Sequence, residues 1–123
     1  MVTGGVEVII GTMEDPVFGP AVMFGLGGVF VEALKDVSFR IAPLGRNDAA
    51  EMVREIKGFR VLEGMRGRPP ADLGALAEVI LKVSRLIELW GERIRELDIN
   101  PLVVFPRGAK VVDALIVKKV EDF

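Results

Sequence analysis

The chain has 123 residues, half of them hydrophobic, and a net charge of −2 with both signs interleaved. That is enough apolar sequence for the core of one domain. It carries neither the basic footprint of a nucleic-acid binder nor an apolar run approaching the ~20 residues that span a membrane. Cysteine and histidine are both absent, which excludes disulfides, thiolate or imidazole metal ligands, and a histidine base or nucleophile from these residues. A metal here would be held by oxygen, which favours magnesium or calcium over zinc. With no cysteine and no leader of the secretory type, the expected setting is cytoplasmic.

In chain order, residues 6–13 (VEVIIGTM) are β-branched and apolar and read as a strand. EDPVFG at 14–19 is a turn built on Asp-Pro and Gly, and PAVMFG at 20–25 is a second strand, so 6–25 reads as a hairpin. The glycine-rich stretch 25–28 leads through VFVE to a third strand in VSFRIAPL. Asp48 and Glu51 match a capping box for a helix over 48–57, with Gly58 as its stop. RGRPP at 66–70 is a rigid connector. Asp72 caps a long helix to Trp90, with Leu73, Leu76, Ile80, Val83, Ile87 and Trp90 as one apolar stripe meant for a sheet. The last third, ELDINPLVVFPRGAKVVDALIV at 96–117, reads as a hairpin turning near Arg107. The order β-β-β-α-α-β-β predicts an α+β fold in a single domain over 1–123, a mainly antiparallel sheet with helices packed on one face.

Asp98, Asn100 and Asp113 interrupt this otherwise apolar hairpin. Alternation puts Asp98 and Asn100 on one face and Leu97 and Ile99 on the other. A turn centred on Arg107 sets Asn100 opposite Asp113 or Ala114, with register open by one residue. Two carboxylates and an amide oxygen brought together suit magnesium, which completes an octahedron with water and phosphate oxygens. Spacing alone equally fits two solvated aspartates and a strand ended by Asn-Pro.

FGLGG at 24–28 lets backbone amides approach a phosphate through Gly25, Gly27 and Gly28. It lacks the Lys-Ser/Thr ending of a P-loop and also fits a tight connection between strands. Glu32 and Arg40 stand as site charges or as strand-end surface charges. Arg66 clamps an anion or pairs with an acid, and Glu7 reads as solvated.

Together GVEVIIGTMEDPVFGPAVMFGLGGVFVEALKDVSFRIAPL, GMRGRPP and ELDINPLVV…VVDALI resemble the ATP-grasp domain of NDP-forming acyl-CoA synthetases. These are the ADP-forming acetate–CoA ligases, relatives of succinyl-CoA synthetase. The resemblance implies an acid–thiol ligase that interconverts acyl-CoA, ADP and phosphate with carboxylate, CoA and ATP, a phosphohistidine carrying the phosphoryl group. It implies Mg²⁺ with ATP or ADP as cofactor, held by Asn100 and Asp113. Asp98 stands where other ATP-grasp enzymes carry a metal-binding glutamate. The Asn-to-Asp spacing is one residue shorter than in the succinyl-CoA relatives. The chain matches only the C-terminal half of such a domain, inactive alone. Its implied partners are the N-terminal half and a CoA-binding alpha subunit or domain carrying the phosphohistidine, with no nucleic acid and no membrane. Two other readings stand beside it. One is a non-catalytic interaction module, whose uncovered apolar face binds itself as a homo-oligomer or binds another protein. The other is the ATP-grasp part of a synthetase-like protein acetyltransferase.

Overall fold

The computed structural model describes residues 4–27, 36–65 and 67–120. Three strands come first, β1 (Val6–Asp15), β2 (Gly19–Leu26) and β3 (Val37–Ile41). Three helices follow, α1 (Arg46–Glu55), α2 (Phe59–Glu63) and α3 (Leu73–Trp90). Then come β4 (Ile94–Val104), β5 (Ala109–Val111) and β6 (Ala114–Lys118). Every pairing is antiparallel, in the order β3-β2-β1-β4, with β5 and β6 lying one after the other along the far edge of β4. The α+β class expected from the sequence is the class observed.

Alternation gives the sheet two unlike faces. Val8 and Ile10 of β1, Val22, Phe24 and Leu26 of β2, and Leu102 and Val104 of β4 pack against Met52, Leu62, Leu76 and Ile80 of the helices. The stripe of α3 supplies Leu76, Ile80, Val83 and Ile87 to that core. Trp90 departs from the expectation. It ends the helix beyond the last buried turn, 48% exposed, with the Arg93 guanidinium 5.9 Å from its ring centre.

The helix boundaries move for local reasons. Asp48 does not start α1; it is its third residue, and its carboxylate accepts the Gly45 N–H at 2.8 Å. That is the reach-back half of a capping box, and glycine offers no side chain for the other half. Helix α1 ends at Glu55, and Asp36, nearly buried, accepts the N–H groups of Lys57 (2.6 Å) and Gly58 (2.7 Å). Gly58 instead begins α2, a short helix the pattern does not announce; a Cβ there would lie 2.5 Å from Leu26 Cδ1. Asp72 caps α3 as expected, accepting the N–H of Ala75 at 3.0 Å, and also accepts Gly108 N–H at 2.7 Å from the β4–β5 turn. Among the described residues no helix is long and apolar enough to cross a membrane.

Candidate functional site

The face of the sheet away from the helices carries the polar residues that break the apolar pattern of β4. Their exposure there begins with a bulge. Gly11 pairs with Asp98 and Ile10 with Ile99, but Val8 pairs with Leu102, so Asn100 and Pro101 together oppose Ile9 alone. Proline has no N–H to donate, and a bulge is where a sheet tolerates it; the Asn100–Pro101 peptide is cis. The extra residue reverses the alternation. Leu97 and Ile99 enter the core before it, Leu102 and Val104 after it. Asp98 and Asn100 are left on the open face, Asp98 half-buried and Asn100 exposed.

The partner edge breaks at the same level. β5 stops at Val111 and β6 starts at Ala114. The pairs Ile99 with Ala114 and Leu102 with Val111 set Asn100 opposite Asp113, one of the two registers open to the sequence. Asn100 N–H donates to Asp113 O at 3.0 Å, and Val112 N–H to Pro101 O at 3.0 Å. Residues directly opposite share a face, so Asp113, exposed, joins Asn100, with Asp98 one pleat along. Burial, then the nearby Glu96 carboxylate, pushes the Asp98 carboxyl above its ordinary value. A partly desolvated acid beside a second acid gains from a cation. Among the described residues no three of His, Cys, Asp and Glu converge to cage a metal. Two carboxylates and one amide oxygen form a partial set, which fits magnesium completed by water and phosphate oxygens and fits zinc poorly.

Neighbouring rows complete the face. Val37, Gly25 and Ile9 run in register toward the bulge at Asn100. Phe39, Met23, Gly11, Asp98 and Leu115 form the next row. Gly25 thus lies on the open face, two strands from Asn100. Gly27 serves a close approach: its N–H donates to Glu7 O at 2.8 Å, and a Cβ would sit 3.2 Å from the Glu7 backbone. Gly28, Glu32 and Arg66 lie outside the described residues. Arg40 is not brought to this face. It pairs with core residue Val22 and points to the helices, where it meets Glu55 at 3.0 Å and Glu51 at 3.8 Å. The Glu55 hydrogen bonds, with weaker attraction from Glu51 and Asp48, raise its pKa further.

Two residues of the site escape a reading by composition. Thr12 Oγ1 accepts the Leu97 N–H at 3.0 Å, just where the β1–β4 ladder ends at Gly11 and Asp98. Gly11 faces Asp98 directly; its only signal in the sequence is a glycine inside a β-branched run. Among the described residues, hollows of about 670 Å³ around Glu14, Trp90, Arg93 and Lys119, about 520 Å³ around Leu44, Arg46 and Arg85, and about 510 Å³ around Gly5, Pro69 and Phe105 lie away from these residues. At the candidate site Asn100 and Asp113 are exposed, while Ile9, Gly11, Gly25 and Val103 of the same face are buried.

Known proteins are similar to this chain in sequence and fold. The beta subunit of acetate–CoA ligase [ADP-forming] II from Pyrococcus furiosus is 52% identical over 121 residues, 97% of this chain and 51% of that protein. Acetate–CoA ligase [ADP-forming] I from Archaeoglobus fulgidus is 56% identical over 113 residues, 92% of this chain and 16% of the relative. The solved acetyl-coenzyme A synthetase 1 of Candidatus Korarchaeum cryptofilum superposes with a TM-score of 0.90 at 49% identity, over 97% of this chain and 55% of that one. That structure holds coenzyme A and Mg-AMPPCP, its phosphohistidine segment pointing towards the nucleotide binding site. The chain therefore spans about half the length of the beta subunit and of the solved chain. A family model for the ATP-grasp domain matches residues 1–117, and the chain belongs to that family.

Proposed function

We propose that this chain is the magnesium- and nucleotide-phosphate-binding half of an ATP-grasp domain in an ADP-forming acyl-CoA synthetase. In that setting the complete enzyme converts acyl-CoA, ADP and phosphate to carboxylate, CoA and ATP. The observation that carries the reading is the facing of Asn100 and Asp113 at the bulge, with Asp98 beside them on the open face.

Asn100, Asp113 and Asp98 would hold Mg²⁺ with ATP or ADP. Bound there, the ion neutralises phosphate charge during phosphoryl transfer. The protein's part is electrostatic and positional. Asn100 offers a neutral oxygen, so the site carries two negative charges from this trio rather than three, which limits repulsion of a nucleotide's phosphates. Gly25 and Gly27, with Gly28 and Glu32 from a segment outside the described residues, would line the nucleotide's phosphates. Arg40 has no part in the reading, being engaged by Glu55 and Glu51 on the helix face.

The chain has no histidine, so a phosphohistidine must come from another chain or segment, in this reading the CoA-binding subunit or domain. The remaining half of the ATP-grasp domain would cover the open face, where Met13, Phe39 and Leu115 stand 43–55% exposed. In the complete protein, Asn100→Ala or Asp113→Ala should abolish synthetase turnover while circular dichroism and Tm stay those of the parent. Unaltered turnover in both variants would remove these residues from the mechanism.

A further inference from the structure

Strand β6 lies beyond β4 at one end of the sheet, and its outer edge is unclaimed. Asp113 O accepts the Asn100 N–H, and Lys119 N–H donates to Arg93 O, so both groups point across to β4. Backbone groups alternate sides along a strand. The N–H and C=O groups of Ala114, Ile116 and Lys118 therefore face away from β4, and among the described residues no strand pairs with them. The side chains at this edge are apolar on both faces of the sheet. Leu115 pairs with Asp98 on the open face and is 55% exposed. Ile116 pairs with the core residue Leu97 on the helix face, yet it is 52% exposed. An edge that stays single is ordinarily blunted by a charge or a proline within the strand. Leu115, Ile116 and Val117 supply neither.

We propose that β6 pairs antiparallel with β6 of a second copy of this chain, about a twofold axis at Ile116. A second copy is singled out because the strand complements itself. Centred on Ile116, the pairing sets Ile116 against Ile116 and Ala114 against Lys118, so every outward backbone group of one β6 meets an outward group of the other. A centre at Leu115 would set Lys118 against Val112, and one at Val117 would set Ala114 against Val120, both outside β6. The Ile116 register also places Leu115 opposite Val117, an apolar cross-strand pair, and Asp113 opposite Lys119, a pair of opposite charges. The contact is isologous, as a closed dimer requires, and it joins the two sheets edge to edge. It concerns the edge of the sheet and does not rest on the magnesium–nucleotide reading of its face.

The test is a cross-link in the complete protein that carries this chain, which has no cysteine within these residues. Ile116→Cys would set two thiols across the axis, where Cα atoms of a hydrogen-bonded pair lie about 5.5 Å apart, within disulfide range. Val17→Cys, at a hairpin tip and 80% exposed, measures linkage by chance collision. Under mild oxidation the Ile116→Cys chains should link to each other several-fold faster than the Val17→Cys chains, the disulfide being located by mass spectrometry. Ile116→Lys brings two like charges together at the axis and should halve the sedimenting mass, with circular dichroism unchanged. No excess linkage in Ile116→Cys would overturn the inference, whether or not the lysine variant folds. So would a folded Ile116→Lys of unchanged mass, and the edge would then belong to another segment or partner. Mg²⁺-dependent ADP binding, measured alongside in Ile116→Cys, separates a failure here from a failure of the nucleotide reading.

Discussion

The two faces of the sheet treat polar groups in opposite ways. Toward the helices each buried polar side chain is matched: Ser38 Oγ donates to Met52 O at 2.7 Å, Ser84 Oγ accepts Leu44 N–H at 2.9 Å, and Asp36 accepts two N–H groups. On the open face Asp98 is half-buried, its carboxyl pushed up by burial and Glu96, and no hydrogen bond or ion pair to it is present among the described residues. One face is finished by the chain itself. The other, in the proposed function, is finished by the metal-nucleotide and the remaining half of the domain. A fold at equilibrium keeps a poorly matched acid only where another gain offsets its cost.

The contrast can be sharpened from the strong side first. Phe24 is fully buried on the helix face, and Phe24→Ala should cost about 3–5 kcal/mol of unfolding free energy, read by denaturant titration. A loss under ~1 kcal/mol would deny that this face carries the stability. Thr12→Val leaves the Leu97 N–H without its acceptor at the border of the open face and should cost ~1–3 kcal/mol, with Thr12→Ser close to the parent. Equal stability in Thr12→Val would mean that water replaces the hydroxyl.

The smallest effect is a pH dependence. Hydrogen bonds from Gly108 and then Ala75 hold the Asp72 carboxyl below its ordinary value. A depressed folded value means that the contribution is present above the unfolded value of about 3.8 and is lost as pH falls through the folded one. Asp72→Asn should therefore flatten the fall of Tm in acid. An identical acid limb in parent and variant would contradict the assignment.

Much of this architecture is legible from residue order, because strand alternation and helix spacing report burial directly. The separation of Asp98 and Asn100 from Leu97 and Ile99 follows from alternation alone. The bulge does not, since a run such as INPLVV reads the same with or without an extra residue, yet it decides which face Leu102 takes. Strand β3 misleads for a related reason. Phe39 and Ile41 have the pattern of core residues, but they lie on the open face at 43% and 41% exposure, and Arg40 takes the helix side. A face built to be covered looks, in sequence, like a face already covered. Asp48 is ambiguous because the same carboxylate chemistry serves at the first or the third position of a capping box. Arg40 fits an anion site as well as an ion pair until Glu51 and Glu55 are located on α1. Thr12 and Gly11 gain meaning only from their neighbours across the ladder.

The measurement that bears most directly on the open face is a calorimetric titration of ADP into the complete protein, with and without Mg²⁺, repeated with Asn100→Ala. The account expects Mg²⁺-strengthened binding in the parent, with the metal's contribution lost in the variant and Tm unchanged. An equal gain from Mg²⁺ in both proteins would contradict it and place the metal elsewhere.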